Sequence, residues 1–230
     1  MKIVAFDFDG TLSDSEMTVL LGERVGAAAE MADITERAMN DEISYADSLR
    51  ERAALLDGLE TEEAEAAYGE VELREGAAEL IARLTDYGHH TAILTGGFER
   101  GVERALEREG VAVDTVVANR LPERGGRLTG EVEGPLVEGT KDRALERLAE
   151  ERGVDLSRTV AVGDGANDLP MLEVAGFAVG FRPKPAVVSS CDAVVATMRR
   201  LGRLFEERGL LDPEDDAAVE GGDDSGGDDR

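Results

Sequence analysis

Residues 3–12 read IVAFDFDGTL. An apolar run leads into two carboxylates, Asp7 and Asp9, and then into a Gly-Thr turn. β-Branched and aromatic residues without helical spacing read as a buried strand over 3–8. Side chains on a strand alternate with period two, so Asp7 and Asp9 are expected on one side of its C-terminal end. Two anions held together raise each other's pKa unless a cation or a reacting group lies between them. In open α/β sheets, that end of the strands is where ligands bind. An Asx turn ahead of Gly10 would use the same residues, so the string alone leaves both readings open.

Working outward, further apolar runs fall at 91–95, 115–118, 159–163 and 177–181. The segments between them carry helical spacing, with Leu80, Leu84, Val102, Leu106, Leu145 and Leu148 on the apolar stripes. Strands alternating with helices predict a doubly wound parallel sheet of Rossmann-like type. The gap between Leu12 and Gly76 is too long for one crossover. Its periodic residues Val25, Ala29, Leu49, Ala53 and Leu56 predict three or four helices forming a small inserted cap. Gly125-Gly126, between short alternating segments, predicts a β-hairpin within 119–139. The expected organisation is a core of 1–13 and 76–211, a helical cap of 14–75, the hairpin insertion, and an acidic tail of 212–230. That tail carries a net charge of −8 and four glycines, and disorder is expected for it.

Composition narrows the function classes. The 230 residues hold 51 acids against 25 bases, a net charge of −26 that would repel nucleic-acid phosphates. Trp is absent and aromatics make up 4 %, which argues against base-stacking platforms. Cys191 is the one cysteine, so neither an intrachain disulfide nor a thiolate metal cluster can form. No run of 18 apolar residues occurs, so no membrane partner is expected. Asp7 and Asp9 break the N-terminal apolar stretch, which does not read as a signal peptide. A cytoplasmic protein is therefore expected. Only Lys2, Lys141 and Lys184 are lysines, and the other bases are arginine. An acid excess with so few lysines points to a halophilic setting, where molar salt screens self-repulsion within ~3 Å.

Three further segments carry chemistry beside the Asp7/Asp9 pair. Thr95-Gly96-Gly97, closing the second strand, offers a hydroxyl and two unhindered amides, an anion cradle or merely a turn. Lys141 opens a helical segment, where a solvated cation is the ordinary expectation. GDGANDLPML, residues 163–172, follows the strand at 159–163 and puts Asp164 between two glycines at a second strand end. Asn167 and Asp168 then start a helix, where capping alone would account for them. Taken together, oxygen ligands from Asp7, Asp164 and a backbone carbonyl suit Mg²⁺, which pairs with substrate phosphate. Thr95, the Gly96 and Gly97 amides and Lys141 would surround the remaining phosphoryl oxygens.

These four segments, in this order, resemble the haloacid dehalogenase superfamily of aspartate-nucleophile phosphatases: DFDGT, a Thr closing strand two, a Lys, then GDGAND. The resemblance covers about residues 2–197. Within the superfamily, TGGFERGVE, VANRLPERGGRLTGEVEGP and VAVGDGANDLPML are most similar to the phosphoserine phosphatase family, as is AMNDEISYADSLRERAALL in the cap. Gly10 and Thr95 stand where that family often has Ser. The resemblance implies that Asp7 is the nucleophile and Asp9 the general acid and base. It implies Mg²⁺ on the Asp7 and Asp164 carboxylates and the Asp9 carbonyl. Thr95, Gly96, Lys141 and Asn167 would hold the phosphoryl group, with Asp168 orienting Lys141 or metal-bound waters. Glu16 would meet a substrate ammonium and Arg52 a carboxylate, while Met39 and Tyr45 help enclose the substrate. The implied reaction is hydrolysis of O-phospho-L-serine, the last step of serine biosynthesis.

Other small phosphomonoesters are the nearest alternative substrates: phosphoglycolate, homoserine phosphate or a sugar phosphate. A receiver-type signalling switch also uses Asp, Mg²⁺, Thr and Lys on a parallel sheet. Receivers lack both the cap-sized insertion and a carboxylate two residues after the acceptor.

Overall fold

The computed structural model of the chain describes residues 1–39 and 42–213. Its centre is a six-stranded sheet in the order β3-β2-β1-β6-β7-β8. These strands are β1 (Ile3–Phe6), β2 (His90–Phe98), β3 (Thr115–Asn119), β6 (Thr159–Gly163), β7 (Phe177–Phe181) and β8 (Ala193–Val195). Every pairing between them is parallel. All four residues of β1 are buried, as a central parallel strand with both faces covered requires. Val4 and Phe6 enter one apolar cluster, Ile3 and Ala5 the other.

Helices cover both faces. α5 (Ala77–Asp86), α6 (Glu99–Glu109) and α9 (Met198–Glu207) bury their apolar stripes in the first cluster. α7 (Lys141–Arg152) and α8 (Leu169–Val174) contribute to the second. Leu80, Leu84, Val102, Leu106, Leu145 and Leu148 are all buried, as their spacing predicted. β4 (Glu123–Arg124) and β5 (Arg127–Leu128) form an antiparallel hairpin across Gly125-Gly126. Both glycines have positive φ, 63° and 76°, the left-handed pair that a tight two-residue hairpin turn needs.

Four helices lie between β1 and α5: α1 (Met17–Arg24), α2 (Ala28–Met39), α3 (Tyr45–Ala54) and α4 (Thr61–Tyr68). Met17, Leu21, Leu49, Ala53, Leu56, Ala64 and Tyr68 are buried in the same cluster as β1 and α6, so the insertion shares the core's apolar interior. Charge reinforces the join. Glu65 on α4 receives hydrogen bonds from both Arg100 (2.6 and 3.0 Å) and Arg104 (3.1 and 2.5 Å) on α6.

The structure corrects two expectations and adds a strand. β1 stops at Phe6, and the Phe8 carbonyl accepts from the Thr11 and Ser13 amides at 3.1 and 2.9 Å, turning the chain away. Asp7 still continues the pairing of β1, whereas Asp9 is placed by the turn instead of by strand alternation. Val25 and Ala29 are exposed, because α1 ends at Arg24 and the chain bends at Gly26 before α2. β8 is a three-residue edge strand, too short for its pattern to stand out. The side chain of Met39 and residues 214–230 of the acidic tail lie outside the described residues. Asp212 lies within them, and its carbonyl accepts from Arg83 at 3.0 Å.

Phe8 is fully buried beneath the turn that carries both aspartates. Phe8→Ala is expected to destabilise the fold by ~3–5 kcal/mol in denaturant unfolding at constant KCl. A loss below ~1 kcal/mol would mean that the turn is not anchored through this ring.

Candidate active site

Buried charges of opposite sign meet where β1 and β6 end. Asp7 directly follows β1, and its amide extends the pairing by donating to the Val162 carbonyl at 2.8 Å. Asp164 directly follows β6. Asp168 closes the short 3₁₀ turn Ala166–Asp168, where its Oδ2 accepts the Asp164 and Gly165 amides, both at 2.9 Å. Lys141, the first residue of α7, is 3 % exposed. Its ammonium donates to Asp168 Oδ1 at 2.5 Å and to Asp7 Oδ1. One carboxylate oxygen from each of Asp7, Asp164 and Asp168 lies within 4.8 Å of the others. Such an all-oxygen cluster suits a hard divalent cation.

The electrostatics follow from burial. Asp7 is pushed up to about 7 by desolvation, reinforced by Asp168 and Asp164 and opposed by Lys141. Burial acts to lower Lys141, but Asp168 and Asp7 outweigh it and hold the ammonium charged. Burial raises Asp164 too, with Lys184 the main opposing charge. Asp9 is raised well above the usual carboxylate range by burial, then by Glu16 and Asp7, while the Met17 amide pulls the other way. Its Oδ1 is buried and has no hydrogen-bond partner. Its Oδ2 lies where a Gly97 side chain would begin, 2.6 Å from the ideal Cβ position. The site thus offers a lysine-paired carboxylate beside a carboxyl poised to carry a proton, the combination nucleophilic and acid–base chemistry requires.

Around this pair the phosphate-cradle candidates are unevenly placed. Thr95 is buried, and its Oγ1 accepts the Gly97 amide at 3.0 Å. That corrects the expectation that both glycine amides face a ligand: Gly97 is committed locally. The Gly96 carbonyl is held by Asn119 Nδ2 at 3.0 Å, and the Tyr45 hydroxyl covers the space a side chain on Gly96 would need. Asn167 is exposed at the rim, with Oδ1 folded over Gly165. Gly10 has φ 85°, and an ideal Cβ there would sit 2.8 Å from the Asp164 carboxylate. A serine placed here on the same backbone would meet both obstacles, so the turn and Asp164 would have to shift to admit one.

The insertion brings its own charges over Asp9. Glu16, at the N-cap position of α1 with its side chain free of any capping bond, is raised by burial, with Lys184 and Arg52 opposing and Asp164 reinforcing. Arg52 on α3 donates to the Ser48 carbonyl and to Thr18 Oγ1, both at 3.3 Å. Burial lowers it, while Tyr45, Glu16 and Asp9 oppose. Its fixed partners are neutral, which leaves its charge available. Sequence reasoning missed Lys184, whose ammonium lies 3.2 Å from Asp164 Oδ2. The scarcity of lysine and the flanking Pro183 and Pro185 were the signals that could have found it.

The fold and this site define a hydrolase of the aspartate-edge α/β type, and residues 4–173 match the haloacid dehalogenase-like hydrolases. The chain belongs to that family. Its relatives there include phosphoserine phosphatases. The one from Halobacterium salinarum is 54 % identical over 210 residues, spanning 91 % of this chain and all of that protein. The one from Methanocaldococcus jannaschii is 38 % identical, covering 84 % of this chain and 92 % of its own length. A solved phospho-aspartyl intermediate analogue of phosphoserine phosphatase superposes with TM-score 0.81 at 36 % identity, covering 88 % of this chain and 98 % of the other. A substrate-bound phosphoserine phosphatase complex gives TM-score 0.81 at 35 % identity, with 88 % and 97 % coverage.

A carboxyl raised in the folded state favours folding most at low pH. For Asp9 that contribution is complete below 3.8 and is lost as pH rises through its higher folded value. Asp9→Asn removes this dependence. In buffer free of divalent cations, the Tm of Asp9→Asn relative to wild type should rise by several degrees as pH increases from 3.8 through the raised folded value. A constant difference would show that Asp9 is not raised.

Proposed function

We infer that the chain is a phosphoserine phosphatase that converts O-phospho-L-serine to serine and phosphate. The observation that carries the chemistry is the buried Asp7–Lys141 pair beside Asp9, whose Oδ1 has no partner. In the first step an Asp7 carboxylate oxygen attacks phosphorus as the bond from phosphorus to the seryl oxygen breaks. Asp9 gives its proton to that departing oxygen. In the second step water attacks the aspartyl-phosphate, Asp9 takes the water's proton, and the Asp7 carboxylate is released. The raised pKa of Asp9 suits the acid half of this cycle.

Lys141, held by Asp168, would balance the phosphoryl charge together with Thr95 Oγ1, the Gly96 amide and Asn167 from the rim. The buried carboxylate cluster fits a divalent ion, and its oxygen-only chemistry favours Mg²⁺. Asp7, Asp164 and the Asp9 carbonyl would hold the ion, because both Asp168 oxygens are already engaged by Lys141 and by the Asp164 and Gly165 amides. A bound Mg²⁺ would supply neutralising charge to the phosphoryl oxygens.

Substrate choice rests on the insertion. Phosphoserine differs from phosphoglycolate in carrying an ammonium and from glycerol phosphate in carrying a carboxylate as well. Glu16 would take the ammonium and Arg52 the carboxylate, with Tyr45 closing over Gly96. Arg52 can grip a carboxylate with two parallel hydrogen bonds. Arg24, Arg100 and Arg104 instead end on protein carboxylates. In the cell the reaction would complete serine biosynthesis, in a cytoplasm salty enough to screen a net charge of −26.

Asp7→Asn should lower kcat for phosphoserine by at least ~10³-fold. Rapid quench of wild type with labelled substrate should place the phosphate on Asp7; label on a serine or histidine would defeat the mechanism. Arg52→Lys should lower kcat/KM for phosphoserine ~10- to 1000-fold, and much less for an aryl phosphate without a carboxylate. Equal losses on both substrates would mean that Arg52 supports the insertion instead of reading the substrate.

A further inference from the structure

Lys184 is built into the site although the reaction above gives it no task. Its peptide N–H donates to the Asp164 carbonyl at 2.8 Å, and its ammonium reaches Asp164 Oδ2 at 3.2 Å. The same residue is thus pinned to Asp164 at both ends. Its backbone has little freedom: Pro183 packs against Gly180, and Pro185 opens the 3₁₀ helix Pro185–Ser190. The Lys184 side chain is 54 % exposed and that of Asp164 11 % exposed, so the ammonium approaches the carboxylate from the solvent side.

The charges facing Lys184 are carboxylates from two directions, Asp164 and Asp168 from the core and Glu16 from α1. Asp164 in turn shares the cluster with Asp7 and Asp168. A cation entering that cluster meets an Asp164 carboxylate that already carries a lysine on one oxygen. Two cations drawing on one carboxylate weaken each other, because each is attracted to the same charge and repelled by the other.

We propose that Lys184 competes with the divalent cation for Asp164, lowering the affinity with which the site holds metal and keeping the carboxylate paired when metal leaves. This rests on the metal reading of the Asp7–Asp164 cluster given above. Most surface lysines only solvate a face. The short contact to a cluster carboxylate and the second hydrogen bond from the same residue's backbone separate Lys184 from that group. The opposite role, in which Lys184 merely orients Asp164 as a ligand, makes the opposite prediction. Loss of an orienting partner loosens metal binding, typically 10–100-fold.

The test uses the full chain at one fixed molar KCl concentration, comparing wild type, Lys184→Met and Lys184→Arg. Magnesium is titrated with two readouts that need no turnover, calorimetric binding and thermal unfolding. Lys184→Met should bind Mg²⁺ about tenfold more tightly. Its magnesium-free Tm should fall by about 2 °C, because Asp164 loses its counter-charge. Saturating magnesium should remove that deficit, while Lys184→Arg, which keeps the charge, should stay near wild type. Unchanged or weaker binding in Lys184→Met overturns the proposal, as does an arginine variant that behaves like the methionine one. If wild type itself shows no response to magnesium, the metal reading falls and this inference with it. A responding wild type with an equal methionine variant sinks this inference alone.

Discussion

The site is organised around one buried cation. Lys141 is 3 % exposed and touches both Asp7 and Asp168, which are themselves buried. Taking three charges out of water is unfavourable, and a buried ion pair often adds nothing to stability over an apolar pair of the same shape. The cluster holds together because each charge has several partners. Asp168 receives two backbone amides as well as the lysine, and those amides belong to Asp164 and Gly165. The turn that presents Asp164 is therefore fixed by the same carboxylate that fixes Lys141. Removing the Lys141 ammonium leaves two buried acids facing each other at the end of the sheet.

From this constraint the rest of the architecture follows in order. Asp7 needs a rigid origin, and β1, paired in parallel on both sides, supplies it. Lys141 needs a helix start facing that edge, and α7 reaches it after the hairpin excursion. The insertion must bring Glu16, Arg52 and Tyr45 over the cluster without being a loose flap. Its α1 and α4 helices share the core's apolar interior, and Glu65 is gripped by two arginines of α6. α6 begins directly after the Thr95–Phe98 segment, so the grip ties the insertion to the strand that carries the phosphate-cradle candidates.

Much of this could be read in the sequence, for unequal reasons. The parallel sheet was legible because β1, β2, β6 and β7 are buried on both faces and appear as unbroken apolar runs. The hairpin was legible because a Gly-Gly pair readily takes the two positive φ values its turn needs. Asp7 and Asp164 stood out at strand ends, whereas Lys141 and Asp168, each with an ordinary reading of its own, were picked out by the order of the four segments and the family they resemble. Geometry was not legible. The turn at Phe8 placed Asp9 by hydrogen bonds whose partners are local but whose direction the alternation rule does not give. Gly97 was misjudged because an amide can be free or used by a neighbouring hydroxyl, and composition cannot distinguish the two. Val25 and Ala29 kept helical spacing across a helix break, since an Ala-rich stretch offers little contrast between faces.

The choice of bases shows how one chain serves two electrostatic environments. On the surface, guanidinium groups dominate and many form forked contacts, such as Arg100 on Glu65 and Arg120 on Glu133. Planar forks keep directional hydrogen bonds when salt has screened the bare charge, which suits a body of net charge −26. At the site the need is different. At Lys141, Asp7 and Asp168 from separate elements must share one buried cation within a few ångströms, and a guanidinium is too broad and too flat for that. An ammonium is compact and has three donors that can point to separate acceptors. Two of the three lysines in the sequence, Lys141 and Lys184, lie against Asp7, Asp168 and Asp164. The carboxylates that converge at the end of the sheet are thus met by two compact cations, in a chain whose other bases, Lys2 apart, are arginines.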